Sequence, residues 1–566
     1  MQISGKLKRD NTYDAIVIGS GISGGWAAME LCKQGLKTLV LERGRDVEHV
    51  KDYPTAMLDP WDFKFGNNNT VQDEIDDPVQ SKVYNPGNKH FFIRDKEQPY
   101  LQEKPFDWIR GDQVGGRSLI WGRQCYRWSD LDFSANLHDG HGVDWPIRYS
   151  DIKSWYDYTE SFVGISGKAE GLPHLPDGNF LPPMELNCIE RHLAESIKKN
   201  DDHRIMTIAR VANLTQAWKG RGTCMNRNLC TRGCPFGAYF SSNSSTIPVA
   251  NSTGNLTLRP FSIVSELIYD ERTQKATGVK VIDKLSGELH EFYARIIFVN
   301  ASTISTTALL LNSVSSRFPN GFGNDSGQLG HNLMDHHSSA GATGIHPGFK
   351  DKYYKGRRPA GFLIPRYKNL MPGKSDEDYV RGYNIQGHGE RQEWIDKSKE
   401  IEGFGKDFKA QLSTPGPWSV WMAGWGECLP YFENKVSLSD TQKDKWGIPL
   451  TSIDFSFKAN ETKMMNDIQQ SSYDMLEQAG FENVSGFNYG HNGGSTVHEM
   501  GTARMGHDPK TSVLNKFNQM HAVKNVFVTD GSCMVSSACQ NPSLTYMALT
   551  ARACAYAVGK LKRNEL

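Results

Sequence analysis

The sequence predicts an α/β fold, because apolar segments typical of buried strands are followed by segments with helical spacing at both ends of the chain. Near the amino-terminal end, a glycine-rich turn separates the first strand from the first helix. Close to the carboxyl end, another buried strand precedes a long helical run. A chain of 566 residues is longer than one small core requires, so we expect a large domain with insertions or two interleaved domains.

The first unit has the order strand, turn, helix, strand. Residues 13–18, Tyr-Asp-Ala-Ile-Val-Ile, predict a short buried strand, and a glycine-rich turn follows over residues 19–25. Residues 26–34 have helical spacing, and a second apolar strand over residues 37–41 ends in Glu42. This is the order of a Rossmann-like dinucleotide-binding unit.

Three glycines and one carboxylate of this unit have distinct expected roles. Gly19 permits the tight turn, Gly21 lets the backbone approach a pyrophosphate, and Gly24 lets the helix pack closely on the strand. The helix N-terminus supplies free N–H groups and a positive dipole end, and Glu42 stands where a carboxylate binds ribose hydroxyls. A turn without a ligand is the alternative. The unit alone does not decide between FAD and NAD, although its amino-terminal position favours FAD.

Composition excludes several classes of function. Lys and Arg together number 64, as do Asp and Glu, and no Lys/Arg run is present, so we expect neither nucleic acid nor anionic lipid as a partner. No window approaches 18 consecutive apolar residues, which argues against a membrane span. The amino terminus has no apolar stretch before the first strand, so we expect no secretory signal. The ten cysteines do not suggest a disulfide scaffold in so long a chain.

The remaining elements follow in order. Alternation within residues 254–283 predicts a β-meander, and residues 295–301 predict a buried strand leading into a helical segment over 305–311. Residues 525–531 predict a strand that ends in Asp-Gly, and a helical run from about 542 to 561 closes the chain.

Six motifs arrive in the order found in the glucose–methanol–choline (GMC) oxidoreductase family, which the chain resembles over nearly its whole length. They are the fingerprint Gly19–Gly24 with Glu42, the loop from Gly115-Gly116 to Trp121-Gly122, the segment Gly330–His336, the stretch from His498 to Gly506, the pair Asp530-Gly531 and the segment Asn541–Thr545. The resemblance implies FAD in a Rossmann-like domain that is interleaved with a substrate domain. It implies that the substrate domain is built on a mainly antiparallel sheet covered by helices.

The resemblance also implies domain bounds. The FAD-binding domain is expected to comprise residues 1–165, 205–340 and 495–566, including a cysteine-rich loop at 221–236, and the substrate domain residues 166–204 and 341–494.

The resemblance further implies contacts to the cofactor. Gly115, Gly116, Trp121 and Gly122 are expected along the flavin, Asp530 and Gly531 at the pyrophosphate or ribityl chain, and backbone atoms of Val264 at the adenine. No His in the 115–122 loop marks a flavin linkage, so we expect non-covalent FAD.

Two residues match the family's catalytic positions. Alcohol oxidation needs a base near the hydroxyl proton, and a neutral imidazole suits this task. The resemblance assigns that role to His498, and it assigns orientation of the substrate oxygen to Asn541, which cannot act as a base. Many relatives have His at the second position. The alternatives are a structural His498 and an Asn541 that only begins the last helix.

Three clustered cysteines suit a soft metal. Cys224, Cys230 and Cys234 have five and then three residues between them, whereas zinc usually requires a fourth ligand and a closer pair. This spacing resembles that of the catalytic subunits of bacterial GMC sugar dehydrogenases, where it implies a 3Fe–4S cluster that passes electrons onward. Free cysteines, or one disulfide with a spare thiol, are the alternatives.

The same resemblance implies partners, location and substrate. It implies a small subunit with an export signal, a cytochrome c or another electron acceptor, and a periplasmic location reached by co-export; a cytoplasmic enzyme is the alternative. The closing segment resembles glucoside 3-dehydrogenases, which implies oxidation of C3 in glucosides or disaccharides.

Several alternatives stay open on substrate and function. They are glucose, fructose or gluconate dehydrogenase, an oxygen-using oxidase or a lyase, and a flavin-binding protein without turnover. The stretch Trp418–Trp425 is a candidate sugar-facing strand, although its alternation also fits an ordinary sheet, and His388 is a weaker candidate for the substrate pocket.

Overall fold

Two large sheets organise the chain. The computed structural model describes residues 11–201, 203–353, 358–392, 397–398, 400–490 and 492–566. The first ten residues, where no secretory signal is expected, lie outside the described residues.

The strands are β1 (Thr12–Ile18), β2 (Thr38–Leu41), β3 (Leu101–Gln102), β4 (Ile165–Ser166), β5 (Phe180–Leu181), β6 (Thr207–Ile208), β7 (Leu256–Arg259), β8 (Ser262–Asp270), β9 (Lys275–Asp283), β10 (Leu289–Val299), β11 (Ala340–His346), β12 (Phe362–Ile364), β13 (Tyr383–Arg391), β14 (Trp418–Gly426), β15 (Lys435–Lys443), β16 (Pro449–Asp454), β17 (Glu482–Asn488) and β18 (Val526–Val528). The α-helices are α1 (Ile22–Lys33), α2 (Val71–Asp76), α3 (Asp130–Phe133), α4 (Ala135–Asp139), α5 (Tyr149–Val163), α6 (Cys188–Asn200), α7 (Thr246–Ser252), α8 (Thr303–Asn312), α9 (Gly405–Ser413), α10 (Ala459–Gln478) and α11 (Ser543–Lys562).

The first sheet has the order β7-β2-β1-β10-β9-β8, and β18 pairs with β10. The pairs among β7, β2, β1, β10 and β18 are parallel, whereas β8, β9 and β10 form an antiparallel meander. The meander predicted over residues 254–283 therefore extends to residue 299, and β7, inside the predicted range, pairs with β2 instead. Helices α1 and α11 pack against each other beside the parallel part. The carboxyl ends of β1, β10 and β18 therefore meet at one edge, where doubly wound sheets bind nucleotides.

The second sheet is antiparallel throughout, in the order β17-β11-β14-β13-β12-β6. Helices α10 and α6 cover one of its faces. Trp418, Val420 and Met422 of β14 lie in the core between that face and α10, together with Ile468 of α10. The predicted fold class, a Rossmann-like sheet combined with a mainly antiparallel sheet under helices, is confirmed.

Helix α1 begins at Ile22, four residues before the predicted start. The prediction began at Trp26 because Gly24 and Gly25 disfavour helix. Close packing explains the earlier start: a Cβ atom on Gly24 would lie 1.9 Å from the carbonyl oxygen of Gly19, so a glycine is needed inside the first turn. Within the described part of the chain, no helix combines the length and the apolar character that crossing a membrane requires. The predicted domain bounds stay a prediction.

Candidate active site

A cavity of about 450 Å³ lies at the edge where β1, β10 and β18 end. It brings together eleven of the predicted site residues, from the glycine fingerprint to both members of the expected catalytic pair. These are Gly19, Gly21, Glu42, Gly116, Trp121, Gly122, Val264, His498, Asp530, Gly531 and Asn541.

The three fingerprint glycines differ in what surrounds them. Gly19 has a φ of 93°, which favours glycine, and a Cβ atom there would lie 2.4 Å from the carbonyl oxygen of Asn300. Gly24 packs against Gly19. A Cβ atom on Gly21, in contrast, would meet nothing within 4 Å, so this glycine faces open space in the cavity. At Gly21 the backbone is therefore open to the close approach of a ligand.

Gly115 does not line the cavity, in contrast to the expectation that it lies along the flavin. Its φ is 89°, and a Cβ atom there would lie 1.7 Å from Oδ1 of Asn243. Asn243 is held by hydrogen bonds from its Nδ2 to the carbonyl oxygens of Val47, at 2.8 Å, and Val114, at 3.1 Å. Gly115 is therefore required for packing. Gly116 lies next to the first turn instead, with its Cβ position 3.4 Å from Cα of Gly21.

Two buried carboxylates line the cavity. Glu42 accepts hydrogen bonds from N–H and Oγ of Ser20, at 3.1 and 2.5 Å, and from N–H of Gly44 at 2.9 Å. Asp530 accepts from Oγ1 of Thr306 at 2.5 Å and from N–H of Ser532 at 3.1 Å. Burial raises the pKa of both carboxyl groups. Fixed acceptors of this kind suit ribose and ribityl hydroxyls.

The cavity offers unused polar groups to a ligand. Among the described residues, Nδ2 of Asn300 and Oη of Tyr546 are buried without a hydrogen-bond partner, and both residues line the cavity. A Cβ atom on Gly122 would also meet nothing within 4 Å. The N-cap residue of helix α1 is Gly21, which has no side chain to cap the helix, so the first N–H groups of α1 are available to phosphate oxygens. These residues fit a dinucleotide such as FAD.

His498, which is half-buried in the cavity wall, forms an imidazole pair with the buried His336. Their Nδ1 atoms are 2.9 Å apart, and Nε2 of His336 lies 2.8 Å from the carbonyl oxygen of Ala538 and 3.2 Å from that of Ser537. Carbonyl oxygens only accept hydrogen bonds, so Nε2 of His336 carries the proton. Burial lowers the pKa of His336 to about 4, which keeps its ring neutral with a lone pair on Nδ1. His498 therefore donates from Nδ1, and its Nε2 is left as an acceptor.

A chain of amides fixes the orientation of Asn541. Nδ2 of Asn384 donates to the carbonyl oxygen of Cys539, so Oδ1 of Asn384 accepts from Nε2 of Gln386 at 3.1 Å. The same Nε2 donates to Oδ1 of Asn541 at 2.7 Å. Nδ2 of Asn541 is consequently turned towards Nε2 of His498, at 3.3 Å. A donor and an acceptor thus face each other in the cavity wall.

Both chains of hydrogen bonds start at one backbone segment, residues 537–539. Ala538 has a φ of 51°, a left-handed conformation that is uncommon for alanine. Oγ of Ser537 exchanges hydrogen bonds with N–H and the carbonyl oxygen of Cys428, each at 3.0 Å. This segment therefore holds the carbonyl groups that set the protonation of His498 and the orientation of Asn541.

The electrostatics around His498 keep its ring neutral. Its pKa lies well below the ordinary value, first because of burial and then because of His336 and Arg117. Arg117 is paired with Glu499, at 3.1 and 2.7 Å. N–H of His498 donates to Oδ1 of Asp335 at 3.1 Å, and burial together with Glu499 raises the pKa of Asp335 to about 7. A neutral imidazole with its lone pair on Nε2 can accept a proton from a hydroxyl group.

The residues that position the catalytic pair were not predicted from the sequence. His336 ends the motif Gly330–His336, so the motif was found but not the role of its last residue. Gln386 carried a weaker signal, the alternation of polar residues along β13, which includes Asn384 and His388. His388 and the stretch Trp418–Trp425 do not line the cavity.

The three clustered cysteines are not arranged as the expected metal site. Among the described residues, no group of three His, Cys, Asp or Glu side chains is placed to hold a metal ion. Cys224, Cys230 and Cys234 are each half-buried and free. Burial raises the pKa of Cys224, and the other two thiols raise it further, so the three lie within electrostatic reach of one another. Thr231 of the same loop lines the cavity.

Comparison with known proteins identifies one family. The family model described as GMC oxidoreductase matches residues 13–338 with its amino-terminal part and residues 430–550 with its carboxyl-terminal part. The chain is 26% identical to 2-methyl-1,2-propanediol dehydrogenase of Mycolicibacterium austroafricanum over 96% of this chain and 94% of that protein. It is 25% identical to the fructose dehydrogenase large subunit of Gluconobacter japonicus over 97% and 98%. Its fold is similar to that of formate oxidase from Aspergillus oryzae RIB40, in a structure concerned with FAD modification, with a TM-score of 0.61 and 15% identity over 98% of this chain and 99% of that one.

Proposed function

Because the chain belongs to the GMC oxidoreductase family, we propose that it is an FAD-dependent dehydrogenase that oxidises a secondary hydroxyl of a sugar, at C3 of a glucoside or disaccharide. One observation carries the proposal: the acceptor Nε2 of His498 and the donor Nδ2 of Asn541 lie 3.3 Å apart in the wall of the cavity that fits FAD. An alcohol presents both a proton to lose and an oxygen to be held, which matches this donor and acceptor.

In the proposed mechanism, Nε2 of His498 takes the hydroxyl proton while Nδ2 of Asn541 donates to the substrate oxygen. The low pKa of His498 keeps it in the neutral form that accepts a proton. FAD, when bound, supplies the acceptor for the two electrons and the carbinol hydrogen. His336 holds the proton of His498 on Nδ1, and Gln386 holds Oδ1 of Asn541, so neither catalytic group must reorient during the reaction.

The proposed cofactor contacts divide among the cavity walls. The turn at Gly21 and the start of α1 hold the pyrophosphate, Glu42 holds ribose hydroxyls, and Val264 contacts the adenine. Asp530 and Gly531 hold the ribityl chain or the pyrophosphate.

The flavin end of the cavity is formed by a different loop. Gly116, Trp121 and Gly122 lie along the flavin, and binding is non-covalent.

A sugar substrate is favoured by composition and by one relative. The balanced charge suits a neutral ligand, and the relative from Gluconobacter japonicus is named fructose dehydrogenase. The choice of C3 rests on the resemblance of the closing segment alone. The alternatives are oxidation of glucose, fructose or gluconate, and an oxygen-using sugar oxidase.

Electron exit through the cysteine loop is a separate part of the proposal. Thr231, between Cys230 and Cys234, lines the cavity, so this loop is close to the proposed flavin. The spacing of the cysteines favours a 3Fe–4S cluster, but the thiols are not placed as a ligand set, and no step of the mechanism depends on it. The fructose dehydrogenase relative is named as a large subunit. A small export-competent subunit, a cytochrome c acceptor and a periplasmic location complete the proposal.

The test is an anaerobic mixing experiment with the purified, FAD-loaded chain. Methyl α-glucoside is added, bleaching of the visible flavin band is followed, and the product and the iron content are analysed. Bleaching with a 3-keto product supports the proposed reaction, and about three irons per chain support the cluster. A flavin that no sugar bleaches contradicts the proposal. Bleaching followed by rapid reoxidation in air, without iron, favours the oxidase.

A further inference from the structure

The main chain around His498 is held by one buried carboxylate, that of Asp335. Oδ2 of Asp335 accepts a hydrogen bond from N–H of Gly494 at 2.8 Å, and Oδ1 accepts from N–H of His498 at 3.1 Å. Oγ1 of Thr496 also donates to Oδ1. The side chain of Asp335 is fully buried. Its two oxygens thus span the turn over residues 494–498, from the first residue of the turn to the proposed base.

The three donors in this turn match an ionised carboxylate. Both oxygens of a carboxylate accept hydrogen bonds, whereas an amide of the same shape has one oxygen and one NH2 group that only donates. An amide at position 335 would therefore bring its NH2 group against N–H of Gly494 or against the two donors at Oδ1. At least one of the three hydrogen bonds depends on the second carboxylate oxygen.

The turn that Asp335 holds is strained. Val497 has a φ of 58°, a left-handed conformation in which a β-branched residue is an outlier. N–H of Val497 donates to the carbonyl oxygen of Gly494 at 3.1 Å, which closes the turn. Val497 directly precedes His498, and both residues line the cavity. Strain of this kind persists only where surrounding contacts hold it, and it is concentrated at functional sites.

Backbone contacts fix the chain on both sides of the turn. Before it, N–H of Asp107 donates to the carbonyl oxygen of Gly493 at 2.8 Å. After it, Met334 and Met500 exchange two hydrogen bonds between their backbone groups, at 2.9 and 2.8 Å. Asp335 follows Met334 directly, so its carboxylate acts on the strained residues between these two fixed points.

We propose that Asp335 is a positioning residue for the proposed base: its carboxylate holds residues 494–498 in the left-handed turn and thereby presents Nε2 of His498 to the substrate hydroxyl. This inference rests on the proposed function and deepens it, because it names a residue that acts through His498. Two neighbours in the sequence thus divide one task. His336 determines which nitrogen of His498 carries the proton, and Asp335 determines where the imidazole ring lies.

The test combines loss of the carboxylate with relief of the strain. Glycine adopts the left-handed conformation without penalty, whereas alanine and valine do not. In an Asp335→Asn protein, Val497→Gly should therefore restore the turn and Val497→Ala should not, although both remove the methyl groups of valine. The rate of anaerobic flavin reduction by saturating methyl α-glucoside is measured for the FAD-loaded proteins. The pH is about 8.5, where Asp335 is ionised, since burial and Glu499 raise its pKa to about 7.

We expect Asp335→Asn to lower the rate on the order of 100-fold with little change in the half-saturating concentration, because a displaced base affects the reacting atoms. Adding Val497→Gly recovers about tenfold, and adding Val497→Ala recovers less than about twofold. Thr496→Val and Thr496→Ser form a second pair, which decides if Asp335→Asn does not fold. Loss of the hydroxyl donor in Thr496→Val lowers the rate about fivefold, whereas Thr496→Ser keeps it within about twofold.

Hydrogen-exchange mass spectrometry of the FAD-free proteins gives a readout that is independent of any sugar. The amides of Gly494 and His498 donate to Asp335, so we expect a peptide covering residues 492–500 to exchange faster in Asp335→Asn than in the wild type.

A wild-type rate in Asp335→Asn, equal recovery with glycine and alanine, or unchanged exchange of this peptide overturns the inference. Equal rates in Thr496→Val and Thr496→Ser overturn it as well. If no sugar reduces the flavin of the wild type while the peptide exchanges as expected, the proposed reaction is wrong and the hold of Asp335 on the turn stands.

Discussion

Nδ1 of His336 lies 2.9 Å from Nδ1 of His498, and the far side of the His336 ring is held by backbone carbonyl groups. These contacts place the proton of His498 on Nδ1 and its lone pair on Nε2, next to Asn541. His336 thus acts as a positioning residue for the proposed base, and its replacement affects both the amount and the pH dependence of activity.

We expect His336→Ala to lower the rate of flavin reduction on the order of 100-fold, because His498 is no longer held in one tautomer. Burial, His336 and Arg117 together lower the pKa of His498, so removal of His336 raises it. The base works when neutral, so the rate falls as the pH drops through this pKa. The acid limb of the rate profile therefore moves to higher pH in the variant. An unchanged limb would contradict the role, and His331→Ala in the same motif is the control.

Asn541→Asp tests the donor next to His498. The substitution preserves shape but replaces Nδ2 with a carboxylate oxygen, which favours the protonated imidazole. We expect the pKa of His498 to rise and the rate at neutral pH to fall about 100-fold, with partial recovery at higher pH. A pH–rate profile checks this. A profile parallel to that of the wild type would show that Asn541 does not interact with the base.

Gln386→Leu tests the orientation of Asn541 without touching the proposed substrate oxygen. Leucine keeps the approximate volume but removes the Nε2 donor to Oδ1 of Asn541, so the amide is free to rotate. We expect a fall in kcat of about tenfold with a smaller change in KM, since the lost orientation acts on the reacting atoms. A change confined to KM would assign Gln386 to substrate binding instead.

Two glycine substitutions separate cofactor binding from folding. A Cβ atom on Gly21 enters open cavity space, so Gly21→Ala should keep stability within about 1 kcal/mol and lose FAD affinity. A Cβ atom on Gly24 meets a carbonyl oxygen at 1.9 Å, so Gly24→Ala should lower the free energy of unfolding by about 3 kcal/mol. Denaturant unfolding of the FAD-free proteins and flavin titration measure the two effects. If Gly21→Ala lowered the stability and left FAD affinity unchanged, FAD would not bind at this turn.

His498→Ala tests the base itself. We expect flavin reduction by a sugar to fall 10²- to 10⁴-fold while FAD remains bound, because the residue contributes a proton acceptor and not the main cofactor contacts. Visible absorbance of the purified variant reports the bound flavin. Retained reduction would remove His498 from the chemistry.

Local sequence was sufficient to predict the first nucleotide-binding unit. The strand, the glycine turn, the helix and Glu42 all fall within thirty residues, so the pattern of Gly19, Gly21 and Gly24 is visible directly. The surroundings of Gly115 could not be predicted in this way. It belongs to the predicted loop, but whether it faces a ligand or Asn243 depends on a contact 128 residues away.

The positioning residues depend on contacts that no local pattern contains. His336 and His498 are 162 positions apart, and Gln386 and Asn541 are 155 positions apart. The direction of the hydrogen bonds around His498 and Asn541 is set by buried backbone carbonyl groups of residues 537–539. Every residue has such a group, so the side chains of this segment do not reveal its role. For the cysteines, in contrast, a local pattern predicted a metal site. Among the described residues, however, the three thiols are not placed as one ligand set.

Residues 537–539 contribute to the site through main-chain carbonyl groups, which every amino acid possesses. Replacement of the Ala538 side chain therefore leaves the protonation pattern of the site unchanged, so long as the backbone keeps its left-handed conformation. An insertion or deletion nearby would move the carbonyl groups and disrupt this pattern. The protonation of His498 and the orientation of Asn541 thus depend on the path of this short stretch of backbone and not on its side chains. A laboratory effort to redirect the enzyme towards new alcohols would therefore leave the length and the path of this stretch unchanged.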